Sequence, residues 1–334
     1  MTSADPEETW RELEKLSSGV GLVERRVDAE ARLDIHLAVR KPENLRCLLV
    51  SAHGTPTPMP PPVTTRGLEW RLLPDADQDR CLLLVTLNEA HFSDIFTALA
   101  GDLIGRLRHA PDDASSLLEA LARLERWRRL LEAAGSDGLG WEHQIGLYGE
   151  LWFLREHLLG TLDASTSCKA WVGPDGAHQD FQFAACAVEV KVTGTKQPQR
   201  LRITSERQLD GAGVPRLFLF HLSIDQVQGS ADTLPALVDS VRRSLEGQPG
   251  RELFEERLLS AGYSDVHRDR YARTGVGIRE TNLFEVAPGF PRILERDLPA
   301  GVGDVQYSVS VSACQPFAVG AAVFRSVLIG VDRG

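Results

Sequence analysis

The 334-residue chain has little of what would place it outside a cell or in a membrane. Its five cysteines (Cys47, Cys81, Cys168, Cys186 and Cys314) are scattered, odd in number and free of CxxC spacing. That argues against a disulfide framework or a cysteine zinc site and for a reducing compartment, the cytoplasm. No apolar h-region opens the chain, because residues 1–15 are polar and acidic. No window approaches the ~18 uninterrupted apolar residues that a membrane span needs, so no membrane partner is expected. Neither GxxxxGK[ST] nor GxSxG occurs, which excludes a phosphate-cradling motor and a serine-hydrolase elbow. Lysine is scarce, 5 residues against 32 arginines, a skew that reads as genome composition and suggests a bacterial source. Positive charge is also short overall: the formal net charge of −10 weighs against a protein that coats nucleic acid. It leaves room for an enzyme with a locally basic groove, so the placement of the basic residues matters more than their sum.

What is present is ordinary globular composition, 43% hydrophobic and 25% charged, enough for a sizeable core. The first third reads as β followed by α. Residues 33–39 alternate, 41–44 are turn-like and 45–51 form a second apolar run, which predicts a hairpin. The proline-rich stretch 55–62 can hold neither helix nor sheet, and 68–73 with 81–87 add a strand pair. Helical spacing covers about 88–109 and about 113–135, and the glycine-rich segment 135–140 is the best boundary candidate. Beyond it come a helix over about 141–159, strands at 180–183 and 187–193, and a short helix near Ser205. A strand at 216–222 and helices at about 233–245 and 252–261 follow, then a tail of β pieces, clearest at 305–311. The expected organisation is an N-terminal β/α region (1–110), a helical connector with linker (111–140), a core (141–248) and a C-terminal α/β region (249–334).

The segment Asp180-Phe-Gln-Phe-Ala-Ala-Cys-Ala-Val-Glu-Val-Lys191 carries the chemistry. In an extended chain Val188, Val190 and Val192 share one face, and Glu189 and Lys191 the other. A hairpin centred on Ala185-Cys186 would set Asp180 opposite Lys191 and Gln182 opposite Glu189, all on one surface. Two carboxylates and a lysine suit phosphodiester hydrolysis. Carboxylate oxygens bind Mg²⁺, which keeps several waters and needs only one or two such ligands. The metal can activate a water, and the lysine can stabilise charge developing on phosphate. A lone ExK strand is common on protein surfaces, but three features add to it. Glu150, in Gly146-Leu-Tyr-Gly-Glu-Leu-Trp-Phe153 on the preceding helix, sits among apolar residues, so it faces a site or pairs with a cation. Lys191, Lys196, Arg200, Arg202 and Arg207 cluster against Glu206 alone, which suits a phosphate-tracking surface or a solvated loop. Ser205 is the expected N-cap of a helix whose N-terminus, with Gln208, lies near the ExK strand, where both could contact phosphate. His178 precedes Asp180 in a loop and could touch a metal or be structural. Trp127, Trp141 and Trp152 occupy helical apolar positions and read as core.

These residues resemble the PD-(D/E)XK nuclease superfamily. Its pattern is a helix with a glutamate, a strand opening on an aspartate, a strand carrying (D/E)XK, then a helix. Glu150, Asp180, Glu189 and Lys191 occupy those places in order. GLYGELWFL, the 171–180 run, VEVKVTG, ITSERQL and Phe290-Pro-Arg-Ile293 look like a bacterial family of PD-(D/E)XK motif proteins found beside restriction–modification and phage-defence genes. The likeness runs from about residue 21 to 311. It implies an α/β (α+β) restriction-endonuclease-like fold: a mixed sheet core flanked by helices, with a β-then-helical region before it and a β-rich tail after it. It also implies Asp180 and Glu189 as ligands of Mg²⁺ or Mn²⁺, Lys191 as the catalytic lysine, and Glu150 in support of a metal or water. One departure stands out. The literal Pro174-Asp175 pair lies in the turn sequence Gly173-Pro-Asp-Gly176, whereas Asp180 follows Gln179. Asp180 opens a strand on the ExK face and is preferred; Asp175 is the alternative.

Two functions follow. One is a metal-dependent DNA endonuclease of restriction or phage defence, acting with or without other subunits, and cutting both strands as a homodimer or in two visits. The other is a DNA-binding or assembly subunit without turnover, which the acidic charge and the imperfect Pro-Asp pair favour. Asp180 and Glu189 facing one point would select the enzyme; carboxylates that diverge or pair with arginines would select the binding subunit.

Overall fold

A computed structural model describes residues 5–16, 19–27, 33–54, 58–65, 67–75, 80–108, 112–134 and 137–330. Parts of the proline-rich stretch (55–57) and of the glycine-rich linker (135–136) lie outside the described residues. The chain divides into two compact units, Met1–Gly138 and Leu139–Gly334, a division inside that linker.

In the first unit, helix α1 (Pro6–Lys15) starts where Asp5 accepts the Glu7 N–H at 3.0 Å, with Pro6 in the first turn. Its polar sequence hides one apolar stripe. Trp10 is fully buried, donates its indole N–H to the carbonyls of Ala38 and Cys47, and stacks on Phe96. Six antiparallel strands follow: β1 (Gly21–Arg26), β2 (Asp34–Lys41), β3 (Leu45–His53), β4 (Val63–Thr65), β5 (Leu68–Asp75) and β6 (Arg80–Leu87). They are ordered β1-β2-β3-β6-β5-β4. The expected β2–β3 hairpin forms, with Asn44 in the left-handed conformation of its turn. β1 escapes periodicity because it is a mostly exposed edge strand, carrying Glu24, Arg25 and Arg26. Helices α2 (Ser93–Leu107) and α3 (Asp113–Ala134) complete the unit, with Trp127 buried as expected.

The second unit opens with α4 (Trp141–Phe153), which runs on through a π-helical turn at Leu154–Leu158, and α5 (Ala164–Ala170). The strands β7 (Phe181–Gln182), β8 (Ala187–Thr193), β9 (Arg200–Ile203) and β10 (Leu217–Gln228) come next. Then follow α6 (Leu234–Ser244), α7 (Arg251–Ser260), α8 (Arg268–Tyr271) and β11 (Thr274–Glu285). Last are β12 (Tyr307–Ser310), α9 (Val311–Cys314) and α10 (Ala321–Leu328). The main sheet is ordered β11-β10-β8-β7, with β8 and β10 parallel and the outer pairs antiparallel; β9 and β12 make a separate pair. The fold is α/β with mixed sheets, as expected. β10 is buried without break from Leu217 to Ile224, the mark of a strand covered on both faces.

Three expectations need correction. Residues 249–334 are not a separate region, because β11 is a strand of the same sheet as β8 and β10. The tail is also less β-rich than its alternation suggests, since β12 stops at Ser310 and the chain passes into α9 and α10. Finally, β7 pairs with β8 as Phe181↔Val188 and Gln182↔Ala187, so the connection is centred one residue earlier than expected and the pairing is shifted by two. A shift of two keeps every side chain on its face, so Asp180 and Glu189 still share a surface.

Gly149 sets the depth of α4 on this sheet. A Cβ there would stand 2.3 Å from Val192 Cγ2 and 3.3 Å from Val190 Cγ1, so only a bare backbone lets the helix approach β8 this closely. Overpacking costs about 1–3 kcal/mol, against about 1 kcal/mol that alanine regains in a helix. Gly149→Ala is therefore expected to lower stability in urea unfolding, and adding Val192→Ala should restore it. Additive effects of the two substitutions would contradict this packing.

Candidate active site

α4, the 171–180 segment and β8 bring three carboxylates and one ammonium group together. Glu150 projects from α4 one residue beyond Gly149, so the close packing that Gly149 permits also delivers this carboxylate to the sheet. Trp171, fully buried at the end of α5, donates its indole N–H to Glu150 Oε2 at 2.6 Å. Asp180 stands just before β7, and its Oδ2 accepts the Val190 N–H of β8 at 2.7 Å. Glu189 is 1% exposed, and Lys191 Nζ lies 2.6 Å from its Oε1. That ammonium is the partner of the Glu189 carboxylate, which takes no other hydrogen bond among the described residues.

The turn at Glu206–Leu209 holds Lys191 from the other side. Gln208 Oε1 accepts from Lys191 Nζ at 3.2 Å, and from the N–H and hydroxyl of Thr204 at 2.9 and 3.1 Å. The turn itself is pinned from three directions. Glu206 accepts the Val305 N–H, Gln179 donates to the Arg207 carbonyl, and Arg292 donates to the Leu209 carbonyl. Gln179 thus explains the missing proline before Asp180: its buried amide ties the Asp180 segment to the turn that carries Gln208. The roles of Trp171 and Gln179 had no sequence signal, because each depends on a partner 21 or 28 residues away.

Burial dominates the electrostatics. It raises Glu150 well above the usual carboxylate range, with Asp180 and Glu189 adding repulsion while Trp171 and Lys191 oppose them. Burial likewise raises Asp180, against the Lys191 charge and the Val190 N–H. Glu189 is pushed up to about 8 by burial and by Asp180. Burial works against the charge on Lys191, but Glu189, Asp180 and Glu150 outweigh it and hold the ammonium above its ordinary value.

The group lies at the base of a cleft of about 450 Å³ that reaches Thr195, Arg200 and Arg202. An adjoining cavity of about 580 Å³ extends past Gly173, Gly176, Thr204 and Ser260. Both are bounded by Glu142, Gly146, Glu150, Asp180, Lys191 and Arg202. A larger hollow of about 670 Å³ is lined by Arg216 and Glu285, which pair with each other at 2.8 Å.

Several expected phosphate contacts are placed differently. Arg200 and Arg202 sit on the exposed face of β9 and line the cleft. Lys196 is exposed but lies outside the lining of either cavity. Arg207 turns away to Glu295 at 2.9 Å. Ser205 spends its hydroxyl on the Arg207 N–H, and the helix it caps is a single 3-10 turn, too short to supply the expected N-terminal phosphate site. Gln208 supports Lys191. Asp175, the alternative acid, forms an ion pair with Arg257 at 3.1 Å, and His178 is exposed outside the cleft lining. Trp152 stacks on Phe220 and Trp141 is half-buried.

The chain matches, over residues 6–312, the model of a family described as "putative PD-(D/E)XK family member (DUF4420)". The chain belongs to this family. No curated protein and no solved structure matches it. Members of the PD-(D/E)XK group generally use divalent metals, and the donor chemistry here fits one: carboxylate oxygens, those of Glu189 met by the Lys191 ammonium alone among the described residues. Among the described residues no three His, Cys, Asp or Glu side chains are placed to hold a metal together. Mg²⁺ needs only one or two carboxylates when water and phosphate complete its shell, so Asp180 and Glu189 would hold it with Glu150 in support.

The raised Glu189 value means that the folded protein binds this proton more tightly than the unfolded chain. The resulting stability is complete below pH 4.5 and is lost as pH rises through about 8. Glu189→Gln is therefore expected to melt above the wild type at alkaline pH without divalent cation, and to lose that advantage near the ordinary carboxylate range. Mg²⁺ or Mn²⁺ should raise the wild-type Tm more than that of the variant, because the metal favours the ionised carboxylate. Parallel Tm–pH profiles for the two proteins would contradict this account.

Proposed function

We propose that the chain is a divalent-metal-dependent DNA endonuclease acting in restriction or phage defence. The observation that carries this reading is the gathering of Glu150, Asp180 and Glu189 around Lys191 at the base of a cleft whose β9 wall presents Arg200 and Arg202. No arginine pairs with any of the three carboxylates among the described residues, which removes the main structural reason for burying them.

Each group then has a task. Mg²⁺ or Mn²⁺, when bound to Asp180 and Glu189, supplies a nucleophilic water and offsets charge on the scissile phosphate. Lys191 keeps its proton because three carboxylates surround it, so it presents a fixed positive charge to the phosphate oxygens as negative charge builds. Gln208 holds that ammonium in place at 3.2 Å, which limits reorganisation during the reaction. Arg200 and Arg202, two apart on one strand face, point the same way about 6.6 Å apart and can hold flanking phosphates. Glu150, locked to Trp171, adds a carboxylate that can orient a water or support the metal. A chain with one such site would cut a duplex as a homodimer or in two visits.

A second reading, a DNA-binding or assembly subunit of a defence complex, draws on the absence of three side chains placed to hold a metal together among the described residues. One comparison separates the two. Lys191→Ala is expected to lower Mg²⁺-dependent cleavage of plasmid DNA by about 100-fold or more while leaving the melting transition intact and DNA binding by anisotropy largely retained. Equal cleavage by variant and wild type would overturn the enzymatic reading, and a wild type that binds without cutting would select the assembly subunit.

A further inference from the structure

α4 carries two interior glycines, and the fold accounts for only one of them. Gly149 is required by Val192. Gly146, sixth of the thirteen residues of α4, has no atom among the described residues within 4 Å of where its Cβ would stand, the backbone of its own helix and its chain neighbours aside. A glycine in mid-helix costs about 1 kcal/mol relative to alanine, and packing inside this chain returns nothing for it. A bare helix backbone serves close approach of a ligand.

Gly146 lies on one helix face with Glu142 and Glu150, at spacings of four residues. These three residues line both cavities from α4, joined by Ile145 in one and by His143 and Leu147 in the other, and Lys191 and Arg202 line both as well. The two walls therefore differ: carboxyl groups flank Gly146, and cations line β9. A phosphate is drawn to Arg200 and Arg202, whereas the α4 wall at Gly146 offers it no lysine or arginine. The Gly146 amide and carbonyl are engaged in the helix ladder, so whatever touches this point does so by van der Waals contact. A flat, uncharged ring system meets both conditions.

We propose that Gly146 is a specificity-determining contact, where α4 admits the nucleoside (base and deoxyribose) next to the scissile phosphate while β9 holds the phosphate strand. This rests on the nuclease reading and adds the orientation of the substrate across the cleft. A side chain at position 146 would occupy the space that the nucleoside needs without disturbing the protein's own packing.

The test is a size series, Gly146→Ala and Gly146→Leu, with thermal melting, binding of a fluorescein-labelled DNA duplex and Mg²⁺-dependent cleavage measured on each. Because the position is open and helical, both variants should fold and alanine should raise Tm. Cleavage should fall with side-chain size, to about 100-fold lower kcat/KM for leucine, and duplex binding should weaken in the same order. A leucine variant that binds and cleaves like the wild type overturns the proposal. So does a leucine variant whose losses track a lowered Tm, because that would mean the position is packed. If the wild type binds the duplex without cutting it, the nuclease reading falls. The binding series alone then judges the nucleoside contact: graded weakening supports it and unchanged affinity overturns it.

Discussion

The rest of the second unit depends on the packing of three carboxylates, Glu189 buried and Glu150 and Asp180 half-buried, beside a single ammonium group. Glu150, Asp180 and Glu189 outnumber Lys191, so full ionisation would leave excess negative charge where desolvation is expensive. Burial raises all three acids, repulsion adds to it at Glu150 and Glu189, and the same carboxylates keep Lys191 protonated. Replacing such a cluster with apolar side chains commonly stabilises a protein. Stability alone is therefore a poor account of this cluster, and the divalent cation and phosphate of the proposed function would complement it.

Neutral groups hold this unfavourable arrangement in place. The Trp171 indole fixes Glu150, the Val190 amide fixes Asp180, and Gln208 fixes Lys191, so each charged group has one uncharged anchor apart from Glu189, which has only the Lys191 ion pair. The anchors come from different elements: α5, β8 and the 206–209 turn. That turn is clamped in its own right by Gln179, Arg292 and the Glu206–Val305 contact. Residues from 141 to 305 thus converge on one cleft, which is why the segment after 248 cannot be separated from the core.

The net charge of −10 gives no hint of where the positive groups stand. Of the five basic residues clustered after β8 begins, Lys191, Arg200 and Arg202 reach the cleft, Arg207 pairs with Glu295, and Lys196 lies outside the lining. The difference is one of parity and pairing. Alternation along β9 puts Arg200 and Arg202 on the exposed face with Leu201 and Ile203 beneath, whereas Arg207 lies on a turn within reach of an acid 88 residues away.

Local pattern determined a good deal by itself. Alternation in 187–193 put Glu189 and Lys191 on one face, helical spacing placed Glu150 on α4, and the turn chemistry of Gly173-Pro-Asp-Gly176 marked Asp175 as a turn residue. These readings hold because they depend on periods of two and 3.6 residues, which survive a pairing shift of two between β7 and β8. Tertiary structure alone decided the remainder: that Glu189, on the polar face of β8, is buried, that Gln208 serves Lys191, that Gln179 takes the place of the expected proline, and that β11 joins the core sheet. Each of these is a contact between residues distant in sequence, and no local period encodes which partner a side chain will meet.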